Sequence, residues 1–349
     1  MKALVLNHIR GGFEEVLLRE TRDACNEPYQ RLVQRAAENG FRFEGVREQP
    51  LSDAEWVVFW DTWCLAPNIA DWLRRKTRNR RDLVGEVFGA KERPKAALVV
   101  FEPPSIFPHN DDVRIHEKFD LVFTWNPELL ERKPDLYRYL FLPSPENVPA
   151  GAPVPFTEKK LLCDISGYKF SNHPRELYTE RRRTIRFFET HYPADFDLFG
   201  EGWNPSPRAF RRVKLRHWRA KLETFRSYRG RCASKAEVFP RYKFTLCYEN
   251  MIEPGFVSVK LFDALRSDVV PVYLGAPDIE HIVDPEAFID RRNFSSDEDL
   301  GRYLSSMTEA EYESYRARAA AFIDSERFRR LLSENFARVF LEGLGLWRS

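Results

Sequence analysis

Short apolar runs alternate with helix-like stretches along most of this chain, a pattern that few architectures can absorb. Runs of this length, spaced by amphipathic segments, fit βα units feeding a largely parallel sheet. In the first half the expected strands are Ala3 to Leu6, Phe41 to Val46, Trp56 to Trp60, Ala96 to Phe101 and Leu121 to Trp125, with helices over Tyr29 to Glu38 and Asn68 to Arg78. Pro143, Pro145, Pro149, Pro153 and Pro155 then crowd into thirteen residues, which no helix or central strand can accommodate. Beyond them the alternation resumes, with strands near Leu161 to Ser166, Phe196 to Phe199, Phe244 to Tyr248 and Val269 to Leu274, and a helix over Arg175 to His191.

A length of 349 residues suits two domains that each bury a core. The expected boundaries are 1–155 and 156–335, with the helix end at 336–349 returning to the first domain. Open parallel sheets bind ligands beyond the carboxyl ends of their strands, so a ligand cleft between two such domains is expected. Lys plus Arg (55) nearly balances Asp plus Glu (53), which argues against a large nucleic-acid footprint. The five cysteines are odd in number, widely spaced and without a zinc pattern, and are read as reduced thiols. The apolar start ends at His8, too early for a signal peptide or a membrane span, so a cytoplasmic protein is expected.

The segment Arg241 to Arg266 is the richest in chemistry. A buried strand ends at Glu249 and Asn250, Pro254-Gly255 turns the chain, and a helix is expected to start near Phe256 with Lys260 in its first turns. Free amides at a helix start favour an anion, and Lys260 adds a point charge suited to a diphosphate. The bland alternative is a solvated lysine beside a strand-end carboxylate. The following strand ends in Gly275-Ala-Pro277, where glycine permits close approach of a backbone or ligand, while Pro271 must sit at the strand's first residues or on an unpaired side.

These motifs resemble the donor-binding signature of the α-1,3-fucosyltransferases, glycosyltransferase family 10. The matching residues are Tyr242-Lys-Phe244, Tyr248-Glu-Asn250, Phe256-Val-Ser-Val-Lys260 and Val270-Pro-Val-Tyr-Leu-Gly275. Ala287-Phe-Ile-Asp290 is similar to the family's next strand, Glu180 to Glu189 to its first donor-domain helix, and Phe101-Glu-Pro-Pro-Ser105 to its Glu-Ser-Pro strand end. The resemblance implies a GT-B fold of two Rossmann-like domains and inverting transfer of fucose from GDP-fucose to a glycan hydroxyl, without an obligatory metal or other cofactor.

Such a reaction needs one carboxylate near the acceptor hydroxyl and cations on the departing diphosphate. Glu102 is the candidate base; a carboxylate capping a turn is its bland alternative. Lys260 and Arg181 are the candidate diphosphate ligands, with Arg183 as the alternative because only part of the 181–183 run can face one side of a helix. Glu249 and Asn250 are expected to line the sugar and diphosphate region. Phe256 and Val259 replace the family's usual Tyr and Glu, removing a hydroxyl and a carboxylate from the expected donor contacts. Either another residue compensates, or the donor is another nucleotide sugar, or the chain binds without efficient turnover.

Ten basic residues against one acid in 208–231, with Leu215, Trp218, Leu222 and Phe225 at helical spacing, suggest an amphipathic basic helix. It can lie on an anionic membrane surface where lipid-linked glycans would be found. A rival reading is a non-catalytic polyanion-binding protein, and a third is a solvated helix. Metal readings of His109 to Asp112 and of Asp195-Phe-Asp197 are set aside, since acidic loops are commonly solvated and the latter lies in or beside a strand. Trp60, Trp63 and Trp72 can offer sugar-stacking faces or core packing.

Overall fold

The computed structural model describes residues 3–9, 12–46, 50–63, 65, 83–149, 151–203 and 223–348. The expected helix over Asn68 to Arg78, Cys64, Trp72 and residues 208–222 of the basic segment lie outside the described residues. The chain divides into two compact units, one formed by 1–146 with 330–349, the other by 147–329.

In the first unit, β1 (Ala3–His8), β2 (Phe41–Gly45), β3 (Ala54–Trp60), β4 (Lys95–Val99), β5 (Leu121–Thr124) and β6 (Tyr137–Tyr139) form a parallel sheet in the order β2-β1-β3-β4-β5-β6. Its central strands are apolar on both faces: Val57, Val58 and Phe59 of β3 and Ala97, Leu98 and Val99 of β4 are all fully buried. That is why they read as continuous runs in the sequence. β6 escaped the sequence reading because Tyr-Arg-Tyr at a sheet edge buries only Tyr137.

Helix α1 (Glu27–Glu38) buries Leu32 and Ala36. It packs on the helix Ser333–Gly343 through Tyr29 against Phe336 and an ion pair from Arg35 to Glu334 at 2.8 Å. Phe340 of that helix stacks on Trp60 (5.7 Å) and Phe123 (4.8 Å). The last residues thus supply core to the first unit, and Trp60 is a packing residue whose indole N–H donates to Asn7. The boundary falls at Glu146 rather than near 155, since Ser144 still pairs with Leu332 and the Glu146 amide donates to Glu27.

In the second unit, β7 (Lys160–Ile165), β8 (Phe196–Phe199), β9 (Tyr242–Tyr248), β10 (Val270–Leu274) and β11 (Ile289–Asp290) form a parallel sheet in the order β8-β7-β9-β10-β11. Helix α2 (Tyr178–His191) covers it with Ile185 and Phe188, which meet Leu162, Phe196 and Leu246 in one core. Each such buried side chain contributes roughly 1.5–3 kcal/mol, enough to make the strand ends a rigid platform. Pro271 is the second residue of β10, and pairing with β11 begins only at Val272, so its missing N–H breaks no ladder on that side.

Two expectations need correction. The helix after the Pro254-Gly255 turn, α3, spans Val259–Leu265, because Phe256 still belongs to the turn that bonds back to Glu253 and Ser258 is extended. Residues 223–231 are not helical, since Tyr228 bridges Leu198 and the Arg229 amide donates to the Leu198 carbonyl, adding this stretch to the edge of β8. Both sheets reverse their strand order in the same way, between β1 and β3 in one and between β7 and β9 in the other. Ligands of open α/β sheets gather at the carboxyl ends of the strands at such a reversal.

Candidate functional site

At the β7/β9 reversal the strand β9 delivers Glu249 and Asn250. The Glu249 amide continues the ladder by donating to the Leu274 carbonyl at 2.8 Å, and the side chain is wholly buried. Its carboxylate reaches the start of α3, accepting from the Ser258 amide (2.7 Å), the Ser258 hydroxyl (2.7 Å) and Lys260 Nζ (3.2 Å). Gly275 makes this possible, because a Cβ there would stand 2.5 Å from Glu249 Cγ. The close approach expected at Gly275 is therefore that of Glu249 itself. Lys260, with about a quarter of its side chain exposed, is the accessible cation of this group.

Arg181, in the first turn of α2, is buried and donates through Nη2 to the carbonyls of Tyr248 and Glu249. Its Nε has no hydrogen-bond partner among the described residues. Arg183 lies elsewhere: it is exposed, pairs with Glu180 and sits 3.6 Å from Asp297. The structure thus brings Arg181, Glu249, Asn250 and Lys260 to one strand end and leaves Arg183 on the surface. Asn250 is buried, with its carbonyl accepting from the Leu177 amide, and Phe256 is buried in the turn ahead of α3.

Sequence reading missed Asp164, at the end of β7 beside β9. It is buried, accepts from the Ser166 hydroxyl, and its Oδ1 lacks a partner among the described residues. Burial pushes its carboxyl up to about 6, against the opposing pull of Arg181, the Ser166 hydrogen bond and Lys260. Two carboxylates and two cations therefore share this strand end. An entering diphosphate would compete with Glu249 for Lys260 and for the Ser258 amide.

In the first unit, Glu102 follows β4 and is half-buried. Asp61, just past β3, has φ +60° and is buried. Asp61 Oδ1 accepts from the amides of Phe101 (2.8 Å) and Glu102 (3.0 Å) and from Asn110 Nδ2 (2.8 Å). Asn110 also donates to the Glu102 carbonyl (2.6 Å), and its Oδ1 accepts from the Thr62 amide (2.8 Å). Burial above all pushes the Asp61 carboxyl up to about 7, the nearby Glu102 charge adding to it while the amide hydrogen bonds oppose it. Burial, with the charges of Asp61 and Glu102, likewise raises the Tyr29 phenol.

Asn110 is thus turned inward, and Asp112 caps the short helix Val113–His116 and pairs with Arg114. Asp197 is spent on Lys160, Arg229 and Tyr242. Among the described residues no three His, Cys, Asp or Glu side chains gather as a metal site, and no helix is long and apolar enough to cross a membrane. Of the described end of the basic segment, Arg229 pairs with Asp197 and Arg231 with Glu201.

Residues 178–329 match the family model described as glycosyltransferase family 10 (fucosyltransferase), C-terminal part. The 4-galactosyl-N-acetylglucosaminide 3-alpha-L-fucosyltransferase of Gorilla gorilla gorilla is 34% identical over 121 residues, 33% of this chain and 34% of that protein. An alpha-(1,3)-fucosyltransferase of Helicobacter pylori is 36% identical over 74 residues, 20% of this chain and 16% of its own length. These matches span 34% and 16% of the length of these relatives. Among solved structures, an alpha1,3-fucosyltransferase with GDP aligns with a TM-score of 0.57 at 12% identity, over 98% of this chain and 90% of that one. Anabaena HepE in complex with UDP and glucose aligns with a TM-score of 0.59 at 11% identity, over 99% of this chain and all (100%) of that one. The structural likeness shows a GT-B-like fold.

Proposed function

We propose that this chain, whose residues 178–329 match the model of glycosyltransferase family 10, is an inverting glycosyltransferase that takes fucose from GDP-fucose. The observation that carries this reading is the gathering of Arg181, Lys260, Ser258 and Glu249 at the β7/β9 reversal, inside the matched residues.

In the step itself, the oxygen of an acceptor hydroxyl forms a bond to the anomeric carbon while the bond from that carbon to the β-phosphate oxygen breaks. The bonding pair leaves with GDP, and the acceptor's proton passes to the carboxylate of Glu102, the general base. Lys260 and Arg181 meet the charge that develops on the diphosphate. Lys260 is already held toward that place by Glu249 and Ser258, so little reorganisation is needed when the anion arrives. The acceptor is a glycan hydroxyl.

Phe256 and Val259 supply neither a hydroxyl nor a carboxylate to the nucleotide, a loss of order 1.5–3 kcal/mol for a charge-assisted contact. The test is a thermal-shift panel of GDP, UDP, ADP, CDP and GDP-fucose, where a ligand at a hundred times its dissociation constant adds about 2.7 kcal/mol. Stabilisation by GDP and GDP-fucose alone is expected. Stabilisation by another nucleotide would replace the donor, and none by any would overturn the enzymatic reading.

A further inference from the structure

The geometry points to Asp61 and Asn110 as positioning residues that lock the backbone on both sides of Glu102, an inference that rests on Glu102 being the base. Two peptide planes flank Glu102. In the one before it, the Phe101 carbonyl accepts from Trp125 Nε1 (2.9 Å) and the Glu102 amide donates to Asp61 Oδ1 (3.0 Å). In the one after it, the Glu102 carbonyl accepts from Asn110 Nδ2 (2.6 Å), and the next nitrogen is that of Pro103, which has no hydrogen to give. Every hydrogen-bonding group of the two planes is engaged, all through side chains rather than a neighbouring strand.

The lock has its own support. Asp61 Oδ1 and Asn110 Nδ2 bond each other at 2.8 Å, and Asn110 Oδ1 is fixed by the amide and hydroxyl of Thr62. Asn110 cannot rotate without losing several partners. The arrangement is also costly, since Asp61 holds a positive φ without being glycine and buries an acid next to the charge of a second acid. The side-chain oxygen in this place gathers three donors and holds the Glu102 backbone within the fraction of an ångström that proton transfer demands.

The test uses the full chain and measures release of GDP from GDP-fucose with a 4-galactosyl-N-acetylglucosaminide as acceptor probe. Asp61→Gly accepts the backbone conformation and removes the carboxylate. Its kcat is expected to fall about 100-fold, the scale of an ångström of misplacement, while the KM for GDP-fucose stays within about twofold. Asp61→Asn keeps an oxygen that accepts the same amides, and should restore kcat to within about tenfold of the parent. Asn110→Ala, which spares Asp61, should lose about tenfold in kcat with KM unchanged, and it carries the test if Asp61→Gly fails to fold.

Parental kcat in Asp61→Gly or Asn110→Ala, beside an inactive Glu102→Gln, would overturn the lock and spare the base. A kcat for Asp61→Asn no better than for Asp61→Gly would overturn it too. Parental turnover in Glu102→Gln would instead refute the base assignment on which the lock stands.

Discussion

The two sheets share one strand order yet place different chemistries at its reversal. At β7 and β9 the strand ends collect two cations and two carboxylates, Arg181 and Lys260 with Asp164 and Glu249, and one cation stays within reach of solvent. At β1 and β3 the same topological position is packed with rings, Trp60 between Phe101 and Phe340, beside the buried acid Asp61. Topology fixes where a sheet can act. The side chains at the strand ends decide whether that place holds an anion or holds another part of the chain.

Glu102→Gln should break the comparison most sharply. General-base catalysis supplies about 10²–10⁴-fold, so turnover should fall by roughly 10³ while GDP affinity is unchanged. A GDP affinity that falls with turnover would mean that Glu102 belongs to the nucleotide site rather than to proton transfer.

The buried acids set a pH trend. Asp61 at about 7 and Asp164 at about 6 lie above the ordinary carboxyl value of 3.8, so between those limits the folded chain holds more protons than the unfolded one. Their contribution is fully present below about pH 4 and is lost as pH rises toward 7. Asp61→Asn should therefore gain on the parent by about 2–3 kcal/mol between pH 5 and pH 8 in urea unfolding, and a difference independent of pH would refute the raised value.

Lys260→Ala removes the partly exposed cation at the β7/β9 reversal and leaves the buried Glu249 carboxylate without it. Calorimetric affinity for GDP should drop about 10- to 100-fold, as expected for a charge-assisted contact. Unaltered affinity would move the diphosphate elsewhere. The smallest effect belongs to Arg183→Ala. Its guanidinium is mostly exposed and the buried Asp297 keeps Arg291 and Thr184 as partners, so GDP affinity should be unchanged and stability should shift by under about 1 kcal/mol. A loss of GDP affinity matching that of Lys260→Ala would restore Arg183 as a donor ligand.

The strands were legible in the sequence because strands covered on both faces need unbroken apolar runs, as in Val57 to Phe59 and Leu161 to Cys163. Glu249, Asn250 and Lys260 were legible through their spacing around the Pro-Gly turn. The choice between Arg181 and Arg183 was not, since it depends on the angular register of α2 against the sheet. Asp61 and Asp164 were overlooked for a related reason. Each is a lone acid closing an apolar run, as in Val-Val-Phe-Trp-Asp61 and Leu-Leu-Cys-Asp164, and that break in hydropathy was the available signal. Asn110 lay hidden among His109, Asp111 and Asp112, where one inward-facing amide looks like part of a solvated polar loop.

The return of residues 330–349 to the first unit has a bearing on synthesis. A chain leaving the ribosome completes the second unit, continuous from 147 to 329, while the first still lacks Phe336 and Phe340. The segment made earliest therefore finishes folding last, with the faces of Trp60 and Phe123 that Phe340 covers left open until the final helix arrives, and a nascent chain released early would offer those faces to aggregation.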